Sequence, residues 1–143
     1  MRKTVLIVED NTLVTELFRS CLKQLGCDVV HTRTGSQARK LDLPTSPDLI
    51  ILNITLPGNT GYEVIQALRT SGQLGNAQVI AVSSTADEDD LVRMERLGFS
   101  AFVSKPINVQ RFMTIARRFL ADPYAPSIPG EIARPASIKQ NRA

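Results

Sequence analysis

The run Leu49-Ile50-Ile51-Leu52 is apolar throughout and too short for a helix, so it fits a strand covered on both faces, as in a parallel sheet between helices. It stops at Asn53, and the stretch that follows, Leu56-Pro57-Gly58-Asn59-Thr60-Gly61, is dense in turn formers. Asn53 therefore stands at a strand's carboxyl end. In an open parallel α/β sheet that edge carries the ligand-holding loops, which makes Asn53 a site candidate as well as a plain strand terminator.

The rest of the chain repeats the pattern. Thr4–Val8 is a β-branched run that ends in Glu9 and Asp10, and Asn11 or Thr12 can cap the helix carried by Leu13, Val14, Leu17, Phe18, Cys21, Leu22 and Leu25, with Gly26 as its stop. Asp28–Thr32 is a weaker second strand, and a short helix is predicted from Gly35 to Leu43, broken by Pro44 and Pro47. Val64, Ile65 and Leu68 mark a third helix ending near Gly72. Gln78–Val82 is a fourth strand leading to Ser83. The acidic residues Asp87 to Asp90 sit where a helix dipole favours them, ahead of Leu91, Met94 and Leu97, and read as a helix start in preference to a metal site. Ala101–Val103 leads to Ser104-Lys105-Pro106, and a last helix runs from about Asn108 to Leu120. Strands alternating with helices in this way predict a parallel sheet covered on both faces with right-handed crossovers.

Length and charge limit the alternatives. The 143 residues, 43% apolar, suffice for one domain, expected over 1–122; the stretch 123–143 holds four prolines, a glycine and no apolar period, and is expected to be a disordered tail. The net charge of +3 is mostly that tail, because residues 1–122 carry 14 basic and 13 acidic side chains with no basic run, so nucleic acid is not the expected partner. Cys21 and Cys27 have no companion ligands at zinc spacing and read as buried thiols, and the lone His31 reads as structural. No signal-peptide pattern or membrane-spanning run is present, so a cytoplasmic protein is expected, and the Asn53-Ile54-Thr55 sequon is without meaning there.

Glu9 and Asp10, Asn53, Ser83 and Lys105 all fall at carboxyl ends of strands and so converge on one edge. Together they suit phosphoryl transfer: Glu9 and Asp10 to hold a hard, oxygen-liganded Mg2+, Lys105 as the cation and Ser83 as the hydroxyl that neutralise the remaining oxygens.

The segments VLIVEDN (5–11), PDLIILNITLPGNTG (47–61), VIAVSS (79–84) and GFSAFVSKPI (98–107) together resemble the response-regulator receiver domain of bacterial two-component signalling. The resemblance implies a flavodoxin-like doubly wound (βα)5 fold with strand order 2-1-3-4-5, a metal carbonyl ligand from Thr55, a switch pair of Ser83 and Phe102, and a cis peptide at Lys105-Pro106. It also implies a histidine kinase or phosphotransfer partner meeting the first helix and the loop at Pro106 and Ile107. Output would pass through the face of helix four, strand five and helix five, where Arg93, Arg96, Arg111 and Arg118 are candidates. The segment SKPINVQRFMTIARRFL (104–120) is similar to the single-domain DivK-like regulators, which makes a stand-alone regulator the expectation.

One departure stands out. Where the family has the phosphate-accepting aspartate, this chain has Asn53, whose carboxamide is uncharged and poorly nucleophilic, so no acyl phosphate is expected and the metal site loses an anionic ligand. Either the acceptor was deliberately replaced or the chain is a natural pseudo-receiver that signals by contact alone, with the intact Glu9, Asp10, Ser83 and Lys105 weighing toward the first. A flavodoxin-like nucleotide-binding enzyme is the rival from another class, but the phosphate-cradling glycine loop it needs is missing after the first strand.

Overall fold

The computed structural model describes residues 2–128. Its elements alternate strictly: β1 (Thr4–Val8), α1 (Thr12–Gln24), β2 (Asp28–Thr32), α2 (Gly35–Arg39), β3 (Leu49–Asn53), α3 (Gly61–Thr70), β4 (Gln78–Ser83), α4 (Glu88–Arg96), β5 (Ala101–Ser104) and α5 (Val109–Ala121). Every strand pair is parallel and the order is β2-β1-β3-β4-β5. This is the flavodoxin-like doubly wound sheet that the resemblance implies.

Successive strand residues point to opposite faces, and the chain fills both. Leu6, Val8, Ile50, Leu52, Val79 and Ala81 join Val64, Ile65, Leu68, Leu91 and Met94 in the layer under α2, α3 and α4. Val5, Ile7, Leu49, Ile51, Ile80 and Val82 join Phe18, Leu22, Phe112 and Phe119 in the layer under α1 and α5. β3 lies in the middle and is buried at every position, which explains why its sequence is apolar without alternation. Phe18 and Phe112 close the second layer with ring centroids 4.7 Å apart. Cys21 and Cys27 are buried free thiols, and desolvation pushes both upward from the ordinary thiol range.

Helix starts follow local chemistry. Asn11 caps α1 by accepting from the Val14 N–H, and Asp87 caps α4 in a reciprocal box with Asp90, so the acidic run is a helix start as its position predicts.

Two stretches differ from expectation. α2 ends at Arg39 rather than Leu43 because Leu41 and Leu43 leave the helical path to line a small apolar recess with Leu6, Ile50 and Leu68. Gln73 Nε2 takes the Leu41 carbonyl at 2.7 Å, supplying the bond that another helical turn would have made.

The second difference follows α5. Pro123 to Ile128, assigned above to a disordered tail, lies against the amino ends of β4 and β5. The Gln78 amide donates to the carbonyls of Pro123 (3.1 Å) and Ala125 (2.6 Å), the Ile128 N–H donates to the Ser100 carbonyl (3.0 Å), and Arg118 reaches the Pro126 carbonyl (3.3 Å). Ala125 is buried and Ile128 packs on the α1/α5 layer. Residues 129–143 of the expected tail lie outside the described residues.

Candidate functional site at the carboxyl edge of the sheet

Parallel register sets Val8 beside Leu52, Asn53 beside Val82, and Ser83 beside Ser104, so the residues after β1 and those at the ends of β3, β4 and β5 share one edge. Glu9 is 1% exposed and still forms a centre of polar contacts. Lys105 Nζ lies 2.9 Å from Glu9 Oε1, at ion-pair distance but outside hydrogen-bond alignment. Glu9 Oε2 accepts from Asn53 Nδ2 at 2.8 Å and from the Asn11 N–H at 3.1 Å. A carboxylate this deep stays in the fold because a cation and donors surround it.

Asn53 links the cluster. Its Nδ2 also donates to Asp10 Oδ1 at 3.2 Å, and its Oδ1 accepts from the Thr55 N–H at 3.1 Å. Chemistry fixes this orientation, since ionised carboxylates only accept and a backbone N–H only donates; turning the amide over would set like against like on both sides. The amide thus stands between the two acids, its donors pointing at both.

The other expected residues lie nearby and make contacts of their own. Ser83 is buried, its hydroxyl accepting from the Thr85 N–H (3.2 Å) and its carbonyl from the Lys105 N–H (3.0 Å). Thr55 contributes its N–H to the Asn53 side chain. Phe102 is turned inward into the α2–α4 layer, and Arg111 Nη2 donates to its carbonyl at 3.0 Å. The Lys105-Pro106 peptide is cis.

One contributor, Arg33, escaped the sequence reading, while His31 has the structural part expected of it. Arg33 donates to the Asp10 carbonyl at 2.9 Å and to the Thr12 hydroxyl at 3.4 Å; its place just past the end of β2 put it on the same edge, a signal open to the reasoning that found the others. His31 Nε2 lies 2.9 Å from the Glu9 carbonyl and 3.4 Å from the Thr15 hydroxyl, tying β2 to the corner that carries the acids.

Gly61 holds the Asn53 backbone in place. A Cβ there would lie 2.7 Å from the Asn53 carbonyl oxygen and 2.8 Å from Ile54 Cα, both backbone atoms. Gly61→Ala is expected to cost about 2 kcal/mol through that overlap, read by urea denaturation, with amide NMR shifts concentrated at 53–55. An unchanged midpoint would show that the loop yields freely.

The candidate arginines of the output face also make contacts within the fold. Arg93 lies over the Tyr62 ring on the α3 side, Arg111 folds onto Phe102, and Arg118 onto Pro126. Three of the four candidate arginines are thus engaged within the fold, and Arg96 remains exposed on α4.

A doubly wound sheet of order β2-β1-β3-β4-β5, with two acids, an amide and a lysine drawn together at its carboxyl edge, defines an α/β protein of the signal-receiver class. Residues 5–117 match the family model of the response regulator receiver domain, and the chain belongs to that family. It is 39% identical over 122 residues to the polar-differentiation response regulator DivK of Brucella ovis, covering 85% of this chain and 99% of that protein. Among solved structures it is similar to the signal receiver domain of a signal transduction histidine kinase from Syntrophus aciditrophicus, with 29% identity, a TM-score of 0.73, and coverage of 88% of this chain and 96% of that one. The chemotaxis response regulator CheY4 of Vibrio cholerae shares the fold at 21% identity, with a TM-score of 0.72 and coverage of 84% of this chain and 100% of that one.

Proposed function

We propose that this chain is a stand-alone receiver that works in a bacterial phosphorelay through protein-protein contact, without taking a phosphoryl group at Asn53. The observation that carries this reading is the Asn53 amide, which occupies the acceptor position implied by the family and donates to both Glu9 and Asp10. An amide whose donors are engaged in this way offers no nucleophilic oxygen, and its one acceptor is already bonded to Thr55. The near-complete coverage of the DivK relative supports the stand-alone reading.

The Mg2+ implied by the family fits this residue set poorly. The ligands would be Glu9, Asp10, Asn53 and the Thr55 carbonyl, yet the amide presents N–H groups to the two carboxylates where a cation would stand, and no cluster of three or more acidic, His or Cys ligands occurs among the described residues. No step of the proposed function passes through a metal.

The partner is a histidine kinase or phosphotransfer protein meeting α1 and the loop at Pro106 and Ile107. Leu13, 82% exposed in the first turn of α1 and beside the site, supports a contact there. The downstream partner meets the face of α4, β5 and α5, where Val92 and Val109 are exposed. No helix among the described residues is long and apolar enough to cross a membrane, and we place the protein in the cytoplasm with its relay.

Incubation with acetyl phosphate and Mg2+, followed by intact-mass analysis, is expected to show no phosphate-sized increase. A persistent increase mapping to the Asn53 peptide would overturn the assignment.

A further inference from the structure

Away from the carboxyl-edge site, a groove of about 530 Å3 opens between α3 and α4 and is bordered by Arg39 of α2, with Tyr62, Gln66, Arg93 and Leu97 among its walls. We infer that this groove is a docking surface for an acidic segment of a partner protein, held by Arg39 and Arg93.

Charge and its local compensation carry the inference. Arg2 pairs with Asp28, Lys3 with Asp48, Arg19 with Glu16 and Lys105 with Glu9, and none of these pairs takes up Arg39 or Arg93. The acids near the groove are engaged mainly in capping, and Arg39 acts on the Glu63 carboxylate only as a lesser influence behind its Thr60 hydrogen bonds. Glu63 Oε1 accepts from the Thr60 N–H and hydroxyl at 3.0 and 3.2 Å, and the Asp90 carboxylate accepts from the Asp87 N–H at 3.0 Å and from the Tyr62 hydroxyl at 3.3 Å. Capping thus draws the carboxylates to helix starts and leaves the guanidinium groups to face the groove.

Arg93 is also held in position. Its guanidinium lies 3.9 Å from the Tyr62 ring centroid, and the phenol beneath it stays neutral, its pKa pushed up to about 12 by burial and then by Asp90. A planar cation fixed over a buried ring has surrendered side-chain freedom before any ligand arrives, which lowers the entropy lost on binding. Beside it, Arg69 donates to the Leu97 carbonyl at 2.8 Å and adds positive potential at the same wall.

An acidic peptide suits this surface better than a polyphosphate chain does. The exposed carboxylate of Glu63 in the groove wall would repel a continuous line of phosphates, whereas separate side-chain carboxylates can reach Arg39 and Arg93 on either side of it. The groove lies apart from Asn53, so this docking does not depend on the chemistry proposed there.

The test is fluorescence anisotropy of the full chain with a fluorescein-labelled Glu/Ala helical peptide at low and high salt, beside the same peptide with Lys for Glu. The Glu peptide is expected to bind and to weaken with salt. The double variant Arg39→Gln/Arg93→Gln should lose about tenfold in affinity, the scale of one or two charge-assisted hydrogen bonds, while Arg19→Gln on α1 should lose none. Thermal melts check that the variants remain folded. Failure of the Glu peptide to bind at low salt, equal binding of the Lys peptide, or an unaffected double variant would each overturn the inference. Concentration-dependent dimerisation abolished by the double variant would show that the groove receives a second copy instead, which also overturns it.

Discussion

Asn53→Asp is expected to destabilise the chain in EDTA by roughly 3 kcal/mol, the combined scale of lost donors to charged acceptors and a third carboxylate beside two others. In the chain with Asn53 the amide nitrogen donates to Glu9 at 2.8 Å and to Asp10 at 3.2 Å, so the substitution replaces attraction at both contacts with repulsion. Lys105 neutralises only one of the three charges, being paired to Glu9. The same variant should acquire what the Asn53 chain is expected to lack. Millimolar Mg2+ should restore most of the lost stability, because an ion that binds the folded form preferentially stabilises it by mass action. Acetyl phosphate should then give a phosphate-sized mass increase. Denaturant melts of both proteins with EDTA and with Mg2+ are the measurement. An equal response to Mg2+ in the two would mean that Asn53 does not stand at the cation position.

Ending the chain at Asp122 is expected to lower the melting temperature by about 10 °C relative to a chain ending at Ile128, from a loss of roughly 3 kcal/mol. Removing Pro123 to Ile128 uncovers the surface under Ala125 and Ile128 and deprives the Gln78 amide of both its acceptors. The Ser100 hydroxyl donates to the Gln78 side-chain carbonyl at 2.5 Å and accepts from the Val79 N–H at 3.1 Å, so the loss reaches the first residues of β4. Calorimetry of the two truncated chains decides the matter, and identical melting temperatures would show that the segment is only loosely laid on the body.

The amino-acid sequence by itself determined the strands, the helix starts and the edge on which the polar groups gather. These depend on local properties: a short apolar run such as Leu49–Leu52 can be satisfied only inside a sheet, and Asn11 or Asp87 caps a helix with atoms a few residues away. The placing of Glu9, Asp10, Asn53 and Lys105 on one edge followed from the alternation alone, since parallel strands deliver their carboxyl ends together. Four things were decided only by the tertiary structure. The fate of Leu41 depended on a recess and on Gln73, a residue distant in sequence. The attachment of Pro123 to Ile128 depended on Gln78 and Ser100, and a proline-rich stretch with no apolar period gives no local sign of such partners. Directions of long side chains were equally hidden: Arg93 lies over Tyr62 and Arg111 turns back onto Phe102, because a flexible cation settles where a ring or an orphaned carbonyl is brought within reach. The sequence placed Asn53 in the site, but its amide could be oriented only once two carboxylates and the Thr55 N–H surrounded it, since an amide's direction is set by which neighbours donate and which accept.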